Sequence, residues 1–236
     1  MKVAMLLLAA GRGTRFGGPL PKAYLQLGGE TLLLRSATRL VQALPPGTPF
    51  ELVIVRHPDD HADHLAAQLP ALQSLVAPRG RLLLADGGQT RQQSMQNGLA
   101  TLAADVDLVL VHDAARALLP IAATRRCIEV AAEVGAALLA IPAPDTLKKV
   151  VADRVVSTLD RGGVWLAQTP QVIRRDLLLR AFAHAETTGF VGTDDVSLVE
   201  HLGAAVAVVP GSVHNLKITR PEDLPLAAAV LAAGLA

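Results

Sequence analysis

The chain has 236 residues, the size of one large α/β domain, and 51% of them are hydrophobic, enough to fill a sizeable core. Its 22 Lys and Arg nearly balance its 21 Asp and Glu, so no chain-wide basic field exists to hold nucleic acid, and an anionic ligand has to be caught locally. A single cysteine, Cys127, excludes an internal disulfide and every multi-cysteine metal site; it reads as a small buried residue and fits a reducing compartment.

From the N-terminus, VAMLLLA (3–9) is an unbroken apolar run with one positive charge before it, Lys2, and Gly11, Arg12 and Gly13 soon after. This pattern predicts a buried first strand rather than a signal peptide. The runs ELVIV (51–55), DLVLV (107–111) and AALLAI (136–141) are likewise continuous, as strands covered on both faces are. Helices are expected at 31–43, 58–69, 90–103 and 122–134, with Thr31 and Thr90 as N-caps. Such alternation predicts an α/β fold with a doubly wound, mostly parallel, Rossmann-like sheet. Past Pro144, LKKVVADRVVSTLDR (147–161) has two β-branched runs around Ala152, Asp153 and Arg154, which predicts a β-hairpin arm projecting from the core. Helices near 174–187 and 194–202, the strand AVAVV (205–209), the segment NLKIT (215–219) and a helix after Pro221 complete the chain. It contains no run of about eighteen apolar residues, so we expect no membrane span and a cytoplasmic protein.

The first strand leads directly into AAGRGTRFGGPLPK (9–22), a glycine-rich basic loop at a strand's carboxyl end, where open α/β sheets bind ligands. Gly11 and Gly13 permit close backbone approach to a ligand, and Arg15 and Lys22 are suited to neutralising a polyphosphate. The loop is not a Walker loop, because Pro21 precedes Lys22 and Ala23 follows it. Phe16 stands where a dinucleotide fingerprint counted from Gly11 needs its third glycine, which weakens a nicotinamide or flavin reading.

A second signal is VHDAAR (111–116): Asp113 falls just past a strand, at the same edge as the basic loop, as a candidate Mg2+ ligand, with Arg116 as a candidate anion contact. His57, His61 and His64 share a helical spacing, but Asp59, Asp60 and Asp63 beside them mark a solvated surface rather than a metal site.

Taken together, AAGRGTRFGGPLPKAYL (9–25), DGG (86–88) with Arg91 and Ser94, VHDAAR, DTLKK (145–149), TPQ (169–171) and NLKITRPEDL (215–224) resemble the methylerythritol phosphate cytidylyltransferase family over nearly the whole chain. The resemblance implies transfer of CMP from CTP to 2-C-methyl-D-erythritol 4-phosphate with release of pyrophosphate, a step of isoprenoid precursor synthesis that depends on Mg2+. It implies a single nucleotidyltransferase domain over 1–236, with an arm at about 144–170 that exchanges between two subunits of a homodimer. Arg15 and Lys22 would stabilise charge on the triphosphate, Asp113 would hold the metal, and Ala10, Gly11, Gly88 and Ser94 would line the nucleotide. Lys217 would orient the attacking phosphate, and Arg161, Thr146 and Thr169 would contact the polyol phosphate from the arm. The chain departs from the family pattern at Gln89 and His214. A ribitol 5-phosphate cytidylyltransferase would share the loop, Asp113 and Lys217, and a noncatalytic nucleotide-binding module is the alternative of another class.

Overall fold

The computed structural model describes residues 1–11, 16–17, 20–60, 62–77 and 79–235. Elements follow in chain order: β1 (Val3–Leu8), β2 (Gln26–Leu27), β3 (Glu30–Thr31), α1 (Leu32–Ala43), β4 (Phe50–Arg56), α2 (Ala62–Ala66), α3 (Leu69–Val76), β5 (Gly80–Asp86), α4 (Arg91–Ala100) and β6 (Leu108–Asp113). Then come α5 (Ile121–Val134), β7 (Ala136–Pro142), β8 (Leu147–Val151), β9 (Arg154–Leu159), β10 (Trp165–Arg174), α6 (Arg175–Thr188), α7 (Val196–His201), β11 (Ala207–Pro210) and α8 (Asp223–Ala232).

Among the described residues, a seven-stranded sheet runs in the order β11-β7-β10-β6-β1-β4-β5. It is parallel except for β10, which lies antiparallel to both β6 and β7. The continuous apolar strands sit where both faces are covered. Val3, Met5 and Leu7 of β1 pack into a cluster with α1, α3 and α5, while Ala4 and Leu6 pack into the opposite cluster with α4, α6 and α7. Alternate side chains of a strand point to opposite faces, so a run apolar at every position needs two such layers. Cys127 belongs to the first cluster, fully buried, and burial pushes its thiol up to about 12.

The predicted caps form: the Thr31 hydroxyl accepts from the Leu34 amide at 3.2 Å, and that of Thr90 from the Gln93 amide at 3.0 Å. The helix expected over 58–69 is instead split into α2 and α3. Pro70 explains the break, because proline lacks an amide and is tolerated only in a helix's first turn, where it stands in α3. The strand β5 was not expected; it is an edge strand whose apolar run is flanked by Arg81 and Asp86 and is only partly covered.

The hairpin appears as β8 and β9, joined through Ala152 and Asp153, both at positive φ (47° and 60°), the geometry of a tight two-residue turn that matches strand twist. Every residue of β9 is exposed, and all of β8 except Leu147. β10 then returns the chain to the sheet: its first residues stay exposed, while Val172 and Ile173 are fully buried. Among the described residues no helix is long and apolar enough to cross a membrane.

Candidate active site

The carboxyl ends of β1, β4, β5 and β6 fall in register: Leu8 pairs with Val55 and Asp113, and Arg56 with Asp86. Loops leaving these ends therefore meet at one edge, with the central strand β1 flanked by crossovers to either side, the place where open α/β sheets bind ligands. A cleft of about 700 Å3 opens there. Its walls bring together Ala10 and Gly11 after β1, Lys22, Gly88 after β5, Ser94 of α4, Asp113 of β6 and Lys217. Residues from opposite ends of the chain thus share one cavity. Gly13 and Arg15, like His61, lie outside the described residues.

The nucleotide loop is held by the first turn of α4. The Ser94 hydroxyl accepts from the Gly88 amide at 3.0 Å and donates to the Thr90 carbonyl at 2.9 Å, so its one proton is spent on shaping the loop. Gly87 is pressed against the first loop: a Cβ on it would meet the Ala10 Cβ at 2.3 Å and the Arg56 carbonyl at 3.1 Å. Only glycine lets the two loops approach this closely. The glutamine that departs from the family pattern, Gln89, also lines the cleft, and its amide is bound by the Gln93 side chain at 2.8 Å.

Asp113 is the electrostatic centre. Lys217 Nζ lies 2.7 Å from Oδ2 and Arg91 reaches Oδ1 at 3.3 Å. Burial opposes ionisation of this carboxyl, and Arg91 and Lys217 outweigh it, holding Asp113 well below the usual carboxylate range. Its backbone is fixed as well. The Asp113 amide donates to the Thr169 hydroxyl at 3.2 Å, and Thr169 Oγ1 is 2.9 Å from His112 Nδ1. His112 Nε2 faces the Arg116 carbonyl at 3.2 Å; a carbonyl only accepts, so Nε2 carries the proton and Nδ1 accepts from Thr169. Burial lowers His112 to about 4, which keeps it neutral in this relay.

Several sequence candidates fall outside the cleft walls. Thr169 is 5% exposed and supports Asp113 from beneath, at the inner half of β10 rather than on the projecting hairpin. Arg116 turns away to donate to the Asn215 carbonyl at 2.7 Å, which ties the VHDAAR turn to the segment carrying Lys217. Thr146 and Arg161 are exposed at the arm, where Arg161 donates to the Pro144 carbonyl.

Other participants were not singled out as site residues, and Asp60, expected with Asp59 and Asp63 to mark a solvated surface, is instead only 7% exposed because it takes the Tyr24 hydroxyl. Tyr24, at the end of the short turn that begins at Lys22, donates its hydroxyl to buried Asp60, so the Lys22 turn is pinned to the loop after β4. Asp195 binds both terminal nitrogens of Arg91 from 104 residues away, with Arg91 Nη2 to Oδ2 at 2.8 Å. Burial pushes the Asp195 carboxyl up while the Arg91 fork pulls against it; two charge-assisted bonds of this geometry favour the ionised pair. Among the described residues no group of three His, Cys, Asp or Glu is placed to hold a metal ion.

Comparison with known proteins follows the same lines. Residues 3–233 match the family model described as IspD: 2-C-methyl-D-erythritol 4-phosphate cytidylyltransferase. A relative of that name from Chromobacterium violaceum is 43% identical over 231 residues, covering 97% of each chain. Another from Solibacter usitatus is 40% identical, covering 96% of this chain and 94% of its own. Among solved structures, the 2-C-methyl-D-erythritol 4-phosphate cytidylyltransferase of Thermus thermophilus superposes with a TM-score of 0.76 at 33% identity, over 98% of each chain.

Proposed function

The chain belongs to the 2-C-methyl-D-erythritol 4-phosphate cytidylyltransferase family, and from that premise we propose that it transfers CMP from CTP to 2-C-methyl-D-erythritol 4-phosphate, giving 4-diphosphocytidyl-2-C-methyl-D-erythritol and pyrophosphate. The observation that carries this reading is the convergence of Lys22, Asp113 and Lys217 with Ala10, Gly11, Gly88 and Ser94 in one cleft. The glycine side is neutral and closely approachable, as a base and ribose require. The charged side suits a triphosphate.

In this reading a phosphate oxygen of the acceptor attacks the α-phosphorus of CTP, and the bond to the bridging oxygen of pyrophosphate breaks. No protein nucleophile is needed, so positioning and charge stabilisation do the work. Lys22 and Arg15 neutralise the triphosphate. Lys217, a flexible arm with a compact charge, orients the acceptor phosphate toward the α-phosphorus. Asp113 suits Mg2+: that ion binds through one or two carboxylates and completes its shell with water and substrate phosphates, and Asp113 offers an ionised carboxylate in the cleft wall. Bound there, Mg2+ would neutralise charge on the CTP phosphates.

Arg161 is proposed to grip the acceptor phosphate from the arm of a second subunit, its guanidinium fork matching two phosphate oxygens. The support is the arm's surface: Val150, Val151, Val155 and Val156 are 52–63% exposed on a two-stranded hairpin, which is marginal alone and gains stability from a partner. We therefore propose a homodimer, with residues 1–236 forming one domain per subunit and its arm at about 144–170. Use of CTP supports a cytoplasmic setting.

The test supplies CTP, Mg2+ and either 2-C-methyl-D-erythritol 4-phosphate or ribitol 5-phosphate and follows pyrophosphate release. We expect turnover with the methylerythritol phosphate and its loss when EDTA removes the metal. Turnover with ribitol phosphate alone would reassign the acceptor, and CTP binding with no turnover on either would make the chain a noncatalytic nucleotide-binding module.

A further inference from the structure

Asp195 is wholly buried just ahead of α7, and nothing in the proposed chemistry touches it. Its place is fixed by the sheet: the amides of Asp195 and Val196 both donate to the Gln171 side chain in β10 at 2.9 Å. From there its carboxylate takes both terminal nitrogens of Arg91. Arg91 Nη2 also reaches Asp113 Oδ1 at 3.3 Å, and Lys217 holds Asp113 Oδ2 at 2.7 Å. The four groups thus form a chain of alternating charge, Asp195, Arg91, Asp113, Lys217, running from the interior to the cleft.

The order of this chain has a chemical consequence. A guanidinium prefers to bind a carboxylate at two points. With Asp113 as its sole partner, Arg91 would close its fork over both oxygens and compete with Lys217 for Oδ2. Asp195 takes the fork instead and leaves Asp113 a single contact.

We infer that Asp195 is a positioning residue for cytidylyl transfer: by occupying the fork of Arg91 it keeps one oxygen of Asp113 turned to Lys217 and the cleft. The inference rests on the function proposed above, so wild-type turnover with 2-C-methyl-D-erythritol 4-phosphate is measured first; its absence removes that function, whatever the variants do. Asp195→Asn keeps the shape and deletes the charge. We expect kcat to fall about tenfold or more while the KM for CTP stays unchanged or drops, because the site gains one unit of positive charge. A residue that merely supported the fold would lower the folded fraction seen by circular dichroism and leave kcat per folded, CTP-binding molecule unchanged. Arg91→Lys, which keeps the charge and loses the fork, carries the test if Asp195→Asn does not fold, with the same loss of kcat expected and the CTP KM within about threefold of wild type. A folded variant with kcat within about twofold of wild type, or one whose loss lies in the CTP KM, overturns the inference.

Discussion

The two ends of β10 meet their surroundings in opposite ways. At its inner end Thr169 and Gln171 are buried and hydrogen-bonded, and through Asp113 and Asp195 they underlie a cleft whose charges are already paired within the chain. At its outer end Trp165 and Leu166 are 41% and 44% exposed, beside a hairpin whose four valines are 52–63% exposed. Among the described residues the charged groups of the cleft wall are already held in place by one another, as electrostatic preorganisation requires. The arm is complete only as a strand pair. The contrast is the basis for the proposal that the nucleotide half of the site is intramolecular and the acceptor half is completed by a second subunit.

Substitutions in the two regions should therefore fail differently. The largest effect is expected at Lys217→Ala, which removes a charge stabiliser from the cleft: turnover should fall about a hundredfold or more while circular dichroism shows an intact fold. A near-normal rate would mean that the cleft is not the reaction centre. Arg161→Ala should lower kcat/KM for 2-C-methyl-D-erythritol 4-phosphate by about tenfold or more, with the KM for CTP unchanged, because a lost phosphate grip in the arm leaves the nucleotide loops untouched. A shift in the CTP KM would erase the division between the regions. The smallest effect belongs to Gly87→Ala, whose new Cβ forces the Gly87 and Ala10 loops apart. We expect a CTP KM raised about tenfold with the dimer preserved by light scattering. An unchanged KM would show that the close loop contact does not shape the nucleotide site.

Much of this was legible in the sequence where local chemistry decides structure. The continuous apolar runs of β1 and β6 and the caps Thr31 and Thr90 depend on neighbours a few residues away, and each formed as read. Gly11, Gly88, Asp113 and Lys217 were found because strand ends and motif order place them, and the fold brings them to one cleft. β5 escaped notice because an edge strand needs only partial cover and carries charges at both ends. Thr169 is an arm contact by the family resemblance alone, and a motif match does not reveal that its hydroxyl accepts from the Asp113 amide in the returning half of β10. The clasp of Arg91 by Asp195 leaves no trace in spacing, since its partners lie 104 residues apart and meet only through packing.

The central claim, that each reaction centre joins the cleft of one subunit to the arm of another, is tested most directly by mixing two impaired variants, assayed at an acceptor concentration well below the wild-type KM. Lys217→Ala and Arg161→Ala subunits, unfolded together and refolded at equal concentration, would form mixed dimers in about half of the population under random two-fold pairing. Each mixed dimer carries one centre with both residues intact, so the account predicts recovery of about a quarter of wild-type turnover. If Lys217 and Arg161 instead serve the same subunit's centre, no dimer contains an intact one. A mixture no more active than the average of its two components, with mixed dimers present, would contradict the account.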